Sequence, residues 1–473
     1  MSKTKKSHSK DFKSLDEWLC YLETIHSSEI DLGLERISQV AKRLHIDFSF
    51  ACVITVAGTN GKGTTCAFLE NALLNETINL PVVSSKVTQV AVYSSPHIER
   101  FNERLRINKC DIDDQALIRA FEKIEQVREE ISLSYYEYTT LAAFLVLMAI
   151  KPEVIILEVG LGGRLDATNI IDADVSVITS IDIDHQAFLG NDRESIGFEK
   201  AGIMRANQHI VVGDPNVPQS VVDHAKKLND TITSSKREQA NSKVKIRNKD
   251  FTVEQHNSTN KQVSSCWQWH YIDHIHTSNT KHSLKNLTTT HIPQDNVATA
   301  LMVLKQLGIE LTTKKVNTLI EQTVVIGRTE LFEKVEAKVD LDRLQPSCDV
   351  MLDVAHNPHA ARYLATKLTQ FKEQQKYPKI FAVVAMLSDK DITNTLAPFS
   401  ELIDEWYVAP LTVPRAAAAE KMSEALHCFT NSINCFDNIT QAFKMAVEKT
   451  ESDNLILVFG SFFTVAEIRP LLI

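Results

Sequence analysis

The sequence VITVAGTNGKGTT at residues 53–65 decides the fold of this chain. It starts with an apolar, β-branched run, which is typical of a buried strand. Gly58, Gly61 and Gly63 follow, and glycines allow the backbone to turn tightly and to approach a ligand closely. The next residues have the spacing of a helix. The stretch therefore predicts a strand, a glycine turn and a helix, in that order.

A glycine turn that opens a helix suits phosphate, because backbone N–H groups and the positive end of the helix dipole point to one place. Lys62 would reach the outer phosphates of a nucleotide, and the Thr64 hydroxyl is a candidate Mg²⁺ ligand. The pattern G-x-x-G-K-G-T has fewer residues before its lysine than the usual G-x-x-x-x-G-K-[ST], and a glycine follows the lysine. A turn that binds no nucleotide is the alternative, but the lysine and the threonine favour phosphate binding.

The composition is that of an ordinary globular protein. The length of 473 residues predicts two domains, and the shares of 44% hydrophobic and 23% charged residues are typical of a soluble globular protein. The longest apolar run, residues 141–150, is shorter than the roughly 20 residues that cross a bilayer. The net charge of −9 disfavours a nucleic-acid partner. Eight scattered cysteines without a C-x-x-C motif indicate reduced thiols and a cytoplasmic protein.

Strands and helices alternate along most of the chain, which predicts an α/β fold with a mainly parallel sheet. We expect a first domain at 1–322 that contains the glycine turn. Within it, residues 229–290 are rich in polar side chains and predict an irregular, antiparallel subregion. The alternation begins again after residue 322, so that 323–473 form a second, smaller Rossmann-like α/β domain.

Several polar residues fall where predicted strands end, which is where open α/β sheets bind ligands. Glu158 has the position of a Mg²⁺ ligand, with a solvated charge at a strand end as the alternative. His185 follows the next strand, and a lone histidine is as often a surface or core residue. Lys200 on its own reads as a solvated helix lysine. Asp353 and His356 lie on one turn of the second domain, a turn that also suits helix capping.

Nine segments together resemble the folylpolyglutamate synthase family, within the wider group of ATP-dependent Mur-type ligases. They occur in the order of the family and extend over most of the chain, which makes the resemblance specific. The segments are GTNGKGT (58–64), SSPHIERFNER (94–104), EVGLGGRLDATN (158–169), IDIDHQAFLG (181–190), FEKAGI (198–203), QDNVATAL (294–301), GR (327–328), DVAHNP (353–358) and LSDKD (387–391).

The resemblance implies a reaction and a role for each domain. ATP phosphorylates a substrate carboxylate, the amine of L-glutamate attacks the acyl phosphate, and an amide forms with release of ADP and phosphate. The first domain would bind ATP, and the second would be the glutamate-ligase domain. Both the triphosphate and the carboxylate are anionic, so Lys62, Mg²⁺ and Arg328 would supply the positive charge that their approach requires.

The resemblance also implies site residues. Asn296 would contact the adenine, residues of the second domain would reach the nucleotide when the domains close, and Lys200 matches a lysine that is carbamylated in the family. Lys62, His185, Lys200 and His356 would be catalytic. The implied nucleotide site comprises Gly58, Thr59, Asn60, Gly61, Lys62, Gly63, Thr64, Asn296, Arg328, Asp353 and His356. The implied ligands of two Mg²⁺ ions are Thr64, Ser95, Glu158, His185 and Lys200.

The family contains enzymes that only extend folate glutamate tails and bifunctional enzymes that also join dihydropteroate to the first glutamate. The RLDATN sequence at 164–169 resembles the bifunctional type, with Asp166 as a pterin contact. Ser95, Pro96 and Tyr136 would complete the substrate site, although Tyr136 stands where the family predicts phenylalanine. The implied partners are dihydropteroate, reduced folates and L-glutamate.

Three other functions stay open at this point. The chain would be a tail-extending synthase if it rejects dihydropteroate. A cell-wall amino-acid ligase has the same architecture, but the segments at 94–104 and 164–169 argue against it. An ATP-binding regulator would bind nucleotide without turnover and would not need an acid, a histidine and a lysine at one sheet edge. We expect a monomer.

Overall fold

The computed structural model describes residues 12–28, 30–79, 83–233, 244–256, 266–275, 278–289, 292–334 and 346–473. The chain divides into two compact units, Met1–Val324 and Val325–Ile473.

The first unit is built on a sheet of eight strands in the order β10-β9-β8-β1-β7-β4-β5-β6. Strand β1 lies in its middle and pairs in parallel with β7 and β8. Only β5 and β6, at one edge, are antiparallel to their neighbours. The strands of this unit are β1 (Cys52–Ala57), β2 (Thr77–Asn79), β3 (Ser84–Lys86), β4 (Val90–Tyr93), β5 (Leu105–Ile107), β6 (Cys110–Asp111), β7 (Val154–Glu158), β8 (Val175–Ile178), β9 (His209–Val212), β10 (Val244–Ile246), β11 (Phe251–His256), β12 (Cys266–Ile275) and β13 (Ser278–Thr288).

Helices cover both faces of this sheet, and each face has its own hydrophobic core. One core includes side chains of α3, α9 and α10, and the other includes side chains of α1, α2, α4 and α5. The helices are α1 (Leu15–Leu22), α2 (Glu35–Arg43), α3 (Lys62–Leu73), α4 (Asp114–Arg128), α5 (Tyr135–Ile150), α6 (Gln186–Leu189), α7 (Arg193–Ala201), α8 (Gln219–Thr233), α9 (Gln294–Gln306) and α10 (Thr313–Gln322). Within the described ranges, no helix is long and apolar enough to cross a membrane.

The polar region at 229–290 is antiparallel only in part. Strands β11, β12 and β13 form a three-stranded antiparallel sheet. Strand β10, however, pairs in parallel with β9 and extends the main sheet, so its assignment to the antiparallel subregion was wrong. A strand of three residues alternates in the same way in both kinds of sheet, and only its neighbour decides between them. Helix α8 also continues into this region, and residues 234–243 lie outside the described ranges.

The second unit is a smaller α/β sandwich with the strand order β14-β15-β19-β16-β17-β18. Only β14 is antiparallel to its neighbour, and the other five strands are parallel. Its strands are β14 (Glu330–Phe332), β15 (Asp349–Asp353), β16 (Ile380–Val384), β17 (Glu405–Val408), β18 (Ile433–Cys435) and β19 (Leu455–Phe459). Its helices are α11 (Pro358–Glu373), α12 (Ile392–Leu396), α13 (Ala419–Leu426), α14 (Ile439–Lys449) and α15 (Phe462–Ile468). The predicted α/β fold class is confirmed.

Candidate active site

The glycine turn between β1 and α3 has the predicted form. Every residue of β1 is buried, and α3 starts at Lys62. Gly61 precedes the helix with a φ of +85°, a left-handed conformation that L side chains rarely adopt. A Cβ on Gly61 would lie 2.2 Å from Oδ1 of Asn296, a buried residue at the start of α9. Helix α9 therefore packs directly against the turn, and only a glycine fits there.

Hydrogen bonds tie the same turn to the segment that follows strand β8. The Thr59 N–H donates to the Ser180 carbonyl (2.7 Å), and the Asn60 N–H donates to the Ser180 hydroxyl (3.1 Å). The Thr179 hydroxyl donates to the Asn60 carbonyl at 2.7 Å. The Thr59 hydroxyl accepts from the Asp182 N–H at 3.0 Å. The path of the turn is thus fixed before any ligand arrives.

Glu158 ends β7, beside the turn. The register of the sheet places it next to Val56 of β1, and only 6% of the residue is exposed. A Cβ built on Gly63 would lie 3.8 Å from Oε2 of Glu158, so the carboxylate lies against the first turn of α3. Lys62 folds back over the turn, and its Nζ donates to the Gly58 carbonyl at 3.0 Å. A buried acid, a lysine and a helix N-terminus therefore share one edge of the sheet.

Lys200 lies in α7 and is buried, with 3% of the residue exposed. Burial and, to a smaller extent, the positive charge of Lys62 lower the pKa of its ammonium to about 7, while Asp184 and Asp166 act in the opposite direction. Within the described ranges its ammonium makes no hydrogen bond or ion pair. Lys200 is therefore not the solvated helix lysine that residue chemistry alone favoured.

His185 lies just before α6 with a φ of +51°, and its N–H donates to Asp184 Oδ1 at 2.8 Å. The side chain is half-buried. In the described part of the chain, no group of three or more His, Cys, Asp or Glu residues could hold a metal by itself. Of the predicted ligands, only Glu158 and His185 are of those types. A divalent cation at this edge would need oxygens from water or from a bound phosphate to complete its shell.

A second group of predicted residues surrounds the loop after β7. Asp166 is 2% exposed, and its carboxylate accepts from the N–H groups of Gly160 (3.0 Å) and Leu161 (2.9 Å) and from the N–H and hydroxyl of Thr168 (3.0 and 2.7 Å). These four bonds hold the loop in shape. The ring of Tyr136 packs against Gly160, where a Cβ would lie 2.7 Å from the ring.

Ser95 and Pro96 follow strand β4 and are joined by a cis peptide bond. Ser95 is half-buried and Pro96 is exposed. Ser95 lies close enough to the Tyr136 hydroxyl to lower the pKa of that phenol, although burial raises the pKa more strongly. The predicted substrate residues Ser95, Tyr136 and Asp166 are therefore neighbours in the first unit.

In the second unit, two predicted residues, Arg328 and His356, lie around one side chain that the sequence did not single out. Phe462, at the start of α15, has its ring centroid 5.4 Å from the guanidinium carbon of Arg328 and 6.0 Å from the ring of His356. Asp353 is buried and accepts from the N–H groups of Thr329 and Ala355, each at 2.8 Å. Burial raises its pKa, although Arg328 acts in the opposite direction. Phe462 comes shortly after strand β19, and several predicted site residues also come shortly after a strand. This position at a strand end is the sequence signal that could have singled out Phe462.

His356 Nδ1 lies 2.8 Å from the Val354 carbonyl oxygen. A carbonyl oxygen can only accept a hydrogen bond, so Nδ1 carries the proton in this contact. The backbone of its own turn therefore fixes the orientation of the ring.

Comparison with known families places both units in one class of protein. Residues 56–304 match the family described as the Mur ligase middle domain, and residues 332–462 match the Mur ligase glutamate ligase domain. The chain thus carries two successive domains of a Mur ligase.

Similarity to individual proteins identifies the family within the Mur ligases. The chain is 39% identical over 459 residues to the dihydrofolate synthase/folylpolyglutamate synthase of Escherichia coli, covering 97% of this chain and 95% of that protein. Among solved structures, it is similar to E. coli FolC in complex with DHPP and ADP, with a TM-score of 0.80, 39% identity and 97% of each chain covered. It is also similar to a bifunctional folylpolyglutamate synthase/dihydrofolate synthase with Mn, AMPPNP and L-glutamate bound, with a TM-score of 0.78, 39% identity, and 97% and 98% of the two chains covered. The chain belongs to the dihydrofolate synthase/folylpolyglutamate synthase family.

The geometry of the turn predicts opposite effects for two neighbouring glycines. Gly61→Ala forces an alanine to φ +85° and into Asn296, so we expect it to lower the free energy of unfolding by about 1–3 kcal/mol. Gly63→Ala is the matched control, because its Cβ meets nothing closer than 3.8 Å and alanine favours a helix over glycine by about 1 kcal/mol. Urea unfolding of both variants measures the difference. Equal stability of the two would contradict this description of the turn.

Proposed function

We propose that this chain is an ATP-dependent ligase that joins L-glutamate to dihydropteroate, forming dihydrofolate, and adds further glutamates to reduced folates. The reaction passes through an acyl phosphate on the substrate carboxylate. Membership of the family along nearly the whole chain supports this proposal. The ligands named for the related structures, which are ADP, AMPPNP, Mn, DHPP and L-glutamate, are the ones that such a reaction requires.

The observation that carries the proposal is the arrangement at the end of β1. The turn leads directly into the N-terminus of α3, Lys62 lies over the turn, and Glu158 is buried against Gly63. Transfer of a phosphoryl group to a carboxylate brings two anions together, so fixed positive charge is the main requirement for catalysis. Lys62 and a Mg²⁺ ion would supply that charge in the first unit, and Arg328 is the further cation that the resemblance implies.

The residues present fit two Mg²⁺ ions that are partly held by the nucleotide. Thr64 would bind the ion on the nucleotide phosphates, and Ser95, Glu158 and His185 would hold the ion near the γ-phosphate. One buried carboxylate with neutral ligands suits Mg²⁺, which keeps several waters and takes further oxygens from substrate phosphates. These ions would neutralise phosphate charge and orient the reacting oxygens.

The remaining predicted residues have roles in the same proposal. Asn296 would contact the adenine. Because Asn296 also packs against Gly61, the position of the bound base would depend on the shape of the turn. For Asp353 and His356, the proposed role is nucleotide binding. Asp166 shapes the loop that borders the pterin, which its four hydrogen bonds support.

Lys200 is carbamylated in the active enzyme. Only a deprotonated amine can add to CO₂, with loss of a proton, and a pKa of about 7 leaves a large fraction of Lys200 deprotonated at neutral pH. The carbamate would replace a buried cation beside Lys62 with an anion. That change removes a repulsion between like charges and adds a ligand for a metal.

This proposal gives a pH dependence with a definite sign. Because the pKa of Lys200 is lowered to about 7, the amine is free above about pH 7 and protonated below it. Protein equilibrated with ¹³C-bicarbonate should show a carbamate signal by NMR at pH 8 that weakens as the pH falls below 7. Lys200→Ala should lack the signal, and Lys86→Ala, at an exposed lysine, should keep it. A signal that Lys200→Ala retains would contradict the assignment.

A cytoplasmic monomer is part of the proposal. All eight cysteines are free thiols, including the buried Cys52, Cys66 and Cys348. Free thiols are typical of a reducing compartment, which is where folate substrates and ATP would meet the protein.

Phosphate release from ATP tests the proposed function most simply. With L-glutamate present, we expect turnover both with dihydropteroate and with tetrahydrofolate. Lys62→Ala should lower the rate at least about a hundredfold, because it removes a fixed charge from the developing transition state. Lys86→Ala is the control and should keep the activity.

The outcomes separate the alternatives. Turnover with tetrahydrofolate alone would reduce the function to tail extension. No turnover with either substrate, from folded protein that binds ATP, would contradict the folate assignment and favour another Mur-type ligase.

A further inference from the structure

A buried ion pair joins helix α3 to strand β5. Glu70 of α3 is 2% exposed, and its Oε2 accepts from Nε of Arg106 in β5 at 2.6 Å. The other carboxylate oxygen, Oε1, accepts from the Lys109 N–H at 2.8 Å. Because both oxygens have donors, the carboxylate has a fixed orientation, and it holds the Arg106 guanidinium from one side.

The same guanidinium reaches the segment that leads to the predicted substrate residues. Its Nη1 donates to the hydroxyl of Ser94, the residue after β4, at 3.2 Å. The Ser94 N–H donates to the Arg104 carbonyl at 2.8 Å, so Ser94 is held through both its backbone and its side chain. Ser95 and Pro96 follow directly. Arg106 therefore links the helix of the phosphate turn to the start of the substrate segment.

The ion pair lies away from the phosphate turn. Lys62, Cys66 and Glu70 are spaced four residues apart in α3, so they follow one face of the helix. Eight residues span about 12 Å along a helix axis, which places Glu70 two turns beyond Lys62. An effect of the pair on the reaction must therefore pass through the residues that it holds.

Stability alone does not explain a charged pair in this place. Removing two charges from water is costly, and apolar side chains of similar volume are often equally stable or more stable. A guanidinium, however, presents its donors in a rigid planar fork and can hold two acceptors at once. Here the two acceptors, Glu70 and Ser94, belong to different elements of the fold. The pair thus gives the Ser94 hydroxyl a fixed place relative to α3.

We propose that Glu70 and Arg106 are positioning residues for the folate substrate. Glu70 orients Arg106, and Arg106 holds Ser94. Ser94 in turn sets the place of Ser95 and Pro96, the predicted substrate residues. This inference rests on the proposed function and deepens it, because it assigns the alignment of the substrate to residues outside the implied site. A segment that is held before binding loses less conformational freedom when the substrate arrives, which strengthens binding.

The test replaces the whole pair in Glu70→Leu/Arg106→Met, which leaves no buried charge unpaired. We expect the KM for dihydropteroate to rise about tenfold, while the KM for ATP changes by less than about twofold. The melting temperature of the free protein should stay the same or rise, because apolar side chains replace the pair. Glu125→Leu/Arg128→Met is the matched control. It removes another largely buried ion pair, in α4, and should leave the KM for dihydropteroate unchanged.

Ser94→Ala is a second variant that keeps the ion pair and removes only the last link. Since no buried charge loses its ionic partner, we expect this variant to fold as the wild type does. Its KM for dihydropteroate should rise about threefold, as for the loss of one hydrogen bond. Should the double variant fail to fold, Ser94→Ala decides by the same criterion.

Three outcomes would overturn the inference. The first is an unchanged KM for dihydropteroate in the folded variants, and the second is an equal rise in the KM for ATP, which would mean that the pair acts on α3 as a whole. The third is a lower melting temperature with both KM values unchanged, which would assign the pair to the fold. The wild-type protein tests the proposed function separately, because an absence of wild-type turnover with either folate would reject that function, and the inference with it.

Discussion

The left-handed turn at Gly61, packed against Asn296, is the constraint on which the rest of the site depends. The glycine turn lies in contact with the start of helix α9, which ties the end of β1 to α9. Hydrogen bonds from residues 59 and 60 to the segment after β8 fix the other side of the turn. That segment leads to His185, so the same contacts help to position one of the predicted metal ligands. A flexible turn would leave each of these groups without a defined position.

The first unit also buries several charged side chains. Glu158, Asp166 and Lys200 are each less than 7% exposed, and burying a charge is costly unless it is paired or neutralised. Four hydrogen bonds compensate the cost of burying the Asp166 carboxylate, and the same bonds stabilise the loop after β7. Lys200 makes no such bond within the described ranges and instead has a lowered pKa. Groups with strongly shifted pKa values cluster at functional sites, which favours a chemical role for Lys200.

The sequence predicted the fold well because its strongest signals are local. A buried strand followed by a glycine turn and a helix specifies its own geometry, and the alternation of strands and helices specifies a parallel sheet. Strand β10 was assigned to the wrong sheet because three alternating residues do not reveal their neighbour. The burial of Lys200 could not be predicted from its residue type either, because burial depends on how α7 packs. The contacts of Phe462 with Arg328 and His356 could be recognised only when distances between separate segments were known.

The central claim is that a carboxylate is activated by phosphoryl transfer at the end of β1. Dihydropteroate labelled with ¹⁸O in its carboxylate tests this claim directly, with mass spectrometry of the phosphate released during turnover with ATP and L-glutamate. If the carboxylate attacks the γ-phosphate and glutamate then displaces phosphate, a single ¹⁸O atom moves into each phosphate released. Unlabelled phosphate, at a rate equal to that of amide formation, would contradict the acyl phosphate and the account of the site built on it.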